Sequence, residues 1–382
     1  MPFYCRAGSV PDKRHTQYRR PDGGFYAEEL FSVKGFAGVY SLLYHCNPPT
    51  AVLDVRPWKA APAAFVPNDP LRNRHWATDG APAGGDVVDA RFPLLANDDI
   101  VVSVAHVDAP MESFYRNAGG DELFFIRSGA GTLETAFGDI GYRAHDYLLV
   151  PAGTVYRLQP DAPTRALVYE VRGAVEIPRR FRNAFGQLAE HAPYCERDIR
   201  PPLLREPIDA PGEYVVRVAH RDRGATYIVR NHPFDAVGWD GYCYPYAFNL
   251  DEYAPVTGLL HQPPPTHATF EAPGVVFCAF VPRAIDYHPQ AIPIPYNHAN
   301  VDCDEVLYYA NGDFLSRRGI SEGSLTLHPA GACHGPQPGA VEASLGKTTT
   351  DELAVMVDTF APLRIAQRAR DLEDERYFLS WL

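Results

Sequence analysis

No apolar run of about 18 residues occurs in the sequence, so no membrane-spanning helix is expected. Positive charge is also in deficit. Against 47 Asp and Glu there are 35 Lys and Arg, leaving a net charge of −12. That balance argues against a nucleic-acid partner, because phosphate contacts need basic clusters. The opening Met1-Pro2-Phe3-Tyr4-Cys5-Arg6 lacks the apolar stretch of a secretory signal. Cysteine is sparse: seven residues, scattered, with no Cys-x-x-Cys. An odd, unpatterned set points to free thiols in a reducing cytoplasm rather than a disulfide framework. The expectation is a cytoplasmic protein whose partners are small molecules.

Proline and aromatic residues are what the chain has in quantity: 36 Pro, 22 Tyr and 20 Phe among 382 residues. That composition predicts a mainly all-β protein with many turns and a few short helices. The length leaves room for two domains.

The stretch from Tyr296 to Gly335 carries the clearest chemistry. Val306-Leu307-Tyr308-Tyr309 is aliphatic and aromatic and predicts a buried strand with Glu305 at its start. His298 lies shortly before, across a polar bend. Leu325 and Leu327 alternate with Thr326 and His328, predicting a second strand that Pro329-Ala330-Gly331 ends. His334 follows that turn. If the two strands are neighbours in a barrel, His298, Glu305 and His334 can all point inward. Two imidazoles and one carboxylate leave metal positions open, the arrangement of non-haem Fe(II) oxygenases, although the same donors also suit zinc.

This segment resembles the two-part cupin signature. His298, Asn300, Glu305 and Gly312 fit the first part, and Gly323, Pro329, Gly331 and His334 the second. Asn300 stands where many cupins carry another histidine, which is the pattern of the homogentisate 1,2-dioxygenase family. The N-terminal Lys13-Arg14-His15-Thr16, Pro21-Asp22-Gly23, Glu28-Glu29-Leu30 and Ser41-Leu42-Leu43-Tyr44-His45 resemble the bacterial members of that family. So does Trp239 through Tyr244-Pro245-Tyr246 to Asn249.

An earlier stretch repeats the form of the motif. Glu122 precedes Gly129 as Glu305 precedes Gly312, and Pro151-Ala152-Gly153 leads to Tyr156 as Pro329-Ala330-Gly331 leads to His334. Tyr115 matches His298, and Asn117 matches Asn300. One carboxylate without imidazoles holds a transition metal poorly. The expected architecture is therefore two jelly-roll barrels of cupin type. Residues 1–180 carry a degenerate, metal-free barrel, 181–212 a connector, and 213–382 the catalytic barrel with a C-terminal helix.

The resemblance implies more than fold. It implies Fe(II) held by His298, Glu305 and His334, with His261 as general base toward a substrate hydroxyl. It implies a small aromatic acid and O2 as reaction partners: homogentisate opened to maleylacetoacetate in tyrosine and phenylalanine breakdown. Assembly as a homotrimer or homohexamer is implied too. His328 has a family counterpart, and a role beside the metal toward substrate or oxygen competes with that of a buried histidine satisfied by backbone. Asn300 and Phe314 belong to the substrate side. Phe314 falls near the family's substrate-contacting tyrosine, a departure that admits another dihydroxylated aromatic acid such as gentisate. A cupin isomerase or ligand-binding module is the alternative outside the oxygenases. His267, close to His261, has no assigned role. His15 and His145 are expected at surface or structural positions.

Overall fold

The computed structural model describes residues 2–58, 63–314, 316–317 and 319–382. Among these the chain is mainly β, in sheets of nine, seven, six, four and two strands. Its single α-helix there, Ala340–Ser344, is five residues long. Among the described residues, no helix is long and apolar enough to cross a membrane.

Continuous apolar runs explain how the halves join. In the strand Asp121–Ser128, Leu123 and Phe125 enter the core shared with the second half. Phe124 and Ile126 point the other way, into the first barrel. The neighbouring strands Asp146–Val150 and Thr164–Val171 divide their residues likewise. Side chains alternate along a strand, so a sheet buried on both faces needs apolar residues at every position. Across the shared core Tyr169 meets Phe277 at 5.1 Å, Tyr147 meets Phe270 at 5.5 Å and Phe125 meets Tyr308 at 6.3 Å, mostly edge to face.

The expected boundaries do not separate the sheets. Arg74–Ala77, from the first half, pairs with Ser324–His328 in the sheet that carries Glu305. In return, Pro211–His220 runs parallel to Phe114–Asn117, and Tyr246–Asn249 pairs with Asp146–Val150. Each half thus lends strands to the other.

The chain's end differs from the expected helix. Arg364–Ala366 is a strand paired with both Arg91–Ala96 and Phe65–Pro67. Two short 3-10 turns follow, Gln367–Leu372 and Tyr377–Leu379. Two open sheet edges offered hydrogen bonds that outweighed a mixed charged and apolar pattern compatible with a helix.

The internal repeat is present down to its hydrogen bonds. Asp121 Oδ1 accepts from the Ala152 amide, as Asp304 Oδ1 accepts from Ala330. The second oxygens accept from Val175 and Leu363. The Gly153 amide donates to the Asn117 carbonyl, and Gly331 to Asn300. Gly153 and Gly331 both have positive φ, 89° and 76°, which glycine adopts without strain.

Candidate metal centre

Glu305 is the second residue of the strand Asp304–Asn311, and its cross-strand partner is His328. His298 and His334 lie outside regular strands. Their backbones exchange two hydrogen bonds of 2.8 Å, which sets the imidazoles side by side with centroids 4.3 Å apart. Potential ligand atoms of His298, Glu305 and His334 all fall within 4.8 Å of one another.

The tautomers are fixed from behind. His298 Nδ1 lies 3.2 Å from the Tyr296 carbonyl, and His334 Nδ1 lies 3.0 Å from that of Ala332. A carbonyl only accepts, so each Nδ1 carries a hydrogen and each ring turns its Nε2 inward, toward Glu305. His334 Nε2 is buried without a hydrogen-bond donor, 3.0 Å from Glu305 Oε1. His298 Nε2 stands 3.6 Å from Oε2. Lone pairs facing a carboxylate repel unless a proton or a metal ion stands between them. Two imidazole nitrogens and a carboxylate with fixed outer partners fit a divalent transition metal.

His328 acts one step back from this triad. Its Nδ1 donates to Glu305 Oε1 at 2.8 Å, and its ring stacks on His334 at 4.1 Å. Burial pushes its pKa down to about 4 against the pull of Glu305, so the ring is neutral. It therefore orients the Glu305 carboxylate rather than resting on backbone groups. Burial alone would raise the Glu305 pKa. The imidazoles of His298, His328 and His334 gathered around it more than offset this and hold it well below the usual carboxylate range. Asn300 turns Nδ2 to Glu305 Oε2 at 3.2 Å and to Asp358 at 3.4 Å. Burial, then the nearby charge of Glu305, pushes Asp358 up to about 7.

His261 is half exposed. Its Nδ1 lies 3.5 Å from Asp286, and its ring meets Tyr296 edge to face at 5.5 Å. Tyr296 in turn meets His298 at 6.2 Å, so His261 is linked to the triad through one aromatic ring. The triad opens on this side: the His298 side chain is 32% exposed, against 6% and 1% for Glu305 and His334. Phe314 is packed instead against Tyr309 at 4.9 Å, in a small apolar cluster with Ala354. The other histidines of the sequence reading are engaged elsewhere: His15 with Glu28, His145 with Asp251, and half-buried His267 against Phe280.

In the first barrel a side chain stands amid the groups that match the metal ligands. Arg91 Nη1 lies 2.7 Å from Glu122 and 3.2 Å from Glu170, and Nη2 donates to the Tyr156 hydroxyl at 3.1 Å. Asn117 bridges Glu122 and Glu170 at 3.2 Å each, as Asn300 bridges Glu305 and Asp358. Burial raises the Tyr115 and Tyr156 hydroxyls well above the ordinary value of 10, so neither is a phenolate that could hold a metal. Sequence reasoning missed Arg91, which belongs to no motif. It also missed Asp358, which alignment of the two repeats beyond their glycines would have matched to Glu170.

Two jelly-roll halves, one with a histidine–carboxylate triad and one closed by arginine, define a bicupin with one candidate metal centre among the described residues. A family model for the N-terminal part of homogentisate 1,2-dioxygenase matches residues 90–250. A protein of Saccharolobus solfataricus described as a "putative dioxygenase" is 41% identical over 100% of this chain and 99% of its own length. A homogentisate 1,2-dioxygenase of Rhodopseudomonas palustris is 26% identical over 95% of this chain and 86% of its own. Among solved structures, a cupin 2 conserved barrel domain protein from Leptotrichia buccalis aligns over 73% of this chain and 91% of its own, at 9% identity and a TM-score of 0.37. The chain belongs to the homogentisate dioxygenase family.

Proposed function

We propose that the protein is an Fe(II)-dependent ring-cleaving dioxygenase that converts homogentisate and O2 to maleylacetoacetate. The observation that carries the reading is the triad, in which two backbone-locked imidazoles turn their Nε2 atoms toward one buried carboxylate. His298, Glu305 and His334 would hold the ion. Bound Fe(II) supplies Lewis acidity toward a ring hydroxyl and a redox centre for O2.

The chain's own groups do the rest. His328 and Asn300 hold the Glu305 carboxylate in place, so the ligand set is organised before substrate arrives. His261 accepts the proton of a substrate hydroxyl, and Asp286 beside Nδ1 steadies the imidazolium that forms. Tyr296, between His261 and His298, forms one wall of the approach. Assembly as a homotrimer or homohexamer belongs to the same proposal and is read by light scattering.

Phe314 supports a second reading. Turned into an apolar cluster, it leaves no hydroxyl where the family resemblance implies one, which favours a different dihydroxylated acid such as gentisate. The deciding experiment is anaerobic reconstitution with Fe(II), followed by O2 uptake and absorbance of the ring-opened product. Uptake coupled to product with homogentisate supports the first reading. Uptake with gentisate alone moves the substrate. Silence with both, in protein shown to hold iron, removes the dioxygenase reading.

A further inference from the structure

Arg317 lies on the loop between the strands that carry Glu305 and His328, three residues after Phe314. Its Nη1 donates to the carbonyl of Gly335, the residue after His334. Its guanidinium sits 5.6 Å from the Trp381 ring centroid and bonds the Tyr309 and Tyr377 hydroxyls. Among the described residues, its partners are neutral oxygens and an aromatic face. No carboxylate of the described residues lies within ion-pairing distance, and Glu305 acts on it only through space. Its Nε is buried and has no hydrogen-bond partner.

A buried guanidinium without a counter-ion is unfavourable, since desolvation is repaid only by an anion and a full set of acceptors. Two other enclosed arginines of this chain have that anion. Arg91 has Glu122 and Glu170, and Arg74 has Glu373. Arg317 departs from them beside the triad, on the carbonyl of the residue that follows His334. Gly335 continues the contact to the triad's open side, because a Cβ there would meet the Asn297 side chain at 2.2 Å, next to His298. A planar fork with a free N–H is the group that best receives a carboxylate.

We propose that Arg317 receives the carboxylate of the aromatic acid bound at the triad and so selects acids over neutral hydroquinones. The proposal rests on the ring-cleavage reading for its substrate. It also gives the loop a polar contact that Phe314 does not.

The test compares wild type with Arg317→Met and Arg317→Lys, each matched for iron content and thermal midpoint. Turnover of homogentisate is set against turnover of 2-methylhydroquinone, which keeps the ring and lacks the carboxylate. In Arg317→Met, kcat/KM for homogentisate should fall about 100-fold, mainly through KM, with about threefold or less for methylhydroquinone. Arg317→Lys should restore about tenfold of that loss. Equal losses on both compounds, or no loss on homogentisate, overturn the proposal. Anaerobic calorimetry with phenylacetate gives a readout that needs no turnover. Arg317→Met should weaken phenylacetate at least about tenfold and leave 2-phenylethanol unchanged. If wild type opens neither ring, the ring-cleavage reading fails, and phenylacetate still decides the role of Arg317. Phenylacetate binding that is absent in wild type, or unchanged in the variant, overturns it.

Discussion

Arg91→Met removes a guanidinium and keeps most of its stem. The change therefore deletes charge with little loss of packing. What remains is Glu122, 1% exposed, and Glu170, held close to it by Asn117. Breaking a buried pair by removing one partner costs about 3–5 kcal/mol, because the other charge stays behind unpaired. Loss of the hydrogen bond to the Tyr156 hydroxyl falls within that figure rather than adding to it. Urea unfolding at pH 7 should show the deficit as a lower midpoint at unchanged slope. Glu122→Gln added to Arg91→Met should recover most of the loss, since an amide removes the stranded charge and keeps the shape. Iron binding should not change, because the triad belongs to the other barrel. A loss under about 1 kcal/mol, the range of exposed ion pairs, would refute the view that Arg91 is the resident cation of this barrel. So would a double variant no more stable than the single one.

Other outcomes follow from single side chains. Burial alone would lower the His45 pKa, but hydrogen bonds to Asp235 and Glu29 raise it to about 9. A raised folded value stabilises fully below the unfolded value of about 6.5 and is lost as pH rises through 9. Unfolding at pH 6 and pH 9.5 should then differ by on the order of 3 kcal/mol, with the slope flattened in His45→Gln. His328→Gln, measured by Fe(II) titration, should weaken iron about 10- to 100-fold while leaving the three donors in place. His261→Ala should keep wild-type iron content and slow turnover about 100-fold or more. Full activity would remove His261 from the proton transfer.

The triad was legible because strand edges and tight turns fix short spacings. Glu305 stands near the start of an apolar strand, and His334 follows a Pro-x-Gly turn, so local chemistry alone brings them near His298. The degenerate barrel was legible for the same reason, through Tyr115 and Tyr156. Arg91 was not. It reaches Glu122 from a strand 31 residues earlier, and no local pattern announces a long-range ion pair. Strand exchange was equally hidden. The sequence Arg74-His75-Trp76-Ala77 shows a strand but not that its partner is Leu325. The role of His328 depended on register: only the pairing with Glu305 shows that it faces the carboxylate.

The two barrels together explain why the triad requires a cation. Each keeps the same frame, an aspartate anchored to two backbone amides and an asparagine bridging two acids. Buried acids so arranged need positive charge close by. The first barrel carries it covalently on Arg91. The second has neutral His328, and His298 and His334, whose Nε2 atoms take either a proton or a metal ion. The Glu305 hydrogen bond, acting against burial, raises the His298 pKa above its ordinary value, so without metal that ring holds a proton as pH falls. Metal binding must displace it, and affinity should therefore rise with pH across this titration. Fe(II) or Co(II) titrations at pH 6 and pH 8 should show tighter binding at pH 8, with proton release detectable in buffers of differing ionisation enthalpy. Equal affinity without proton release would mean that the imidazoles are bare before metal arrives and that the frame tolerates an uncompensated carboxylate.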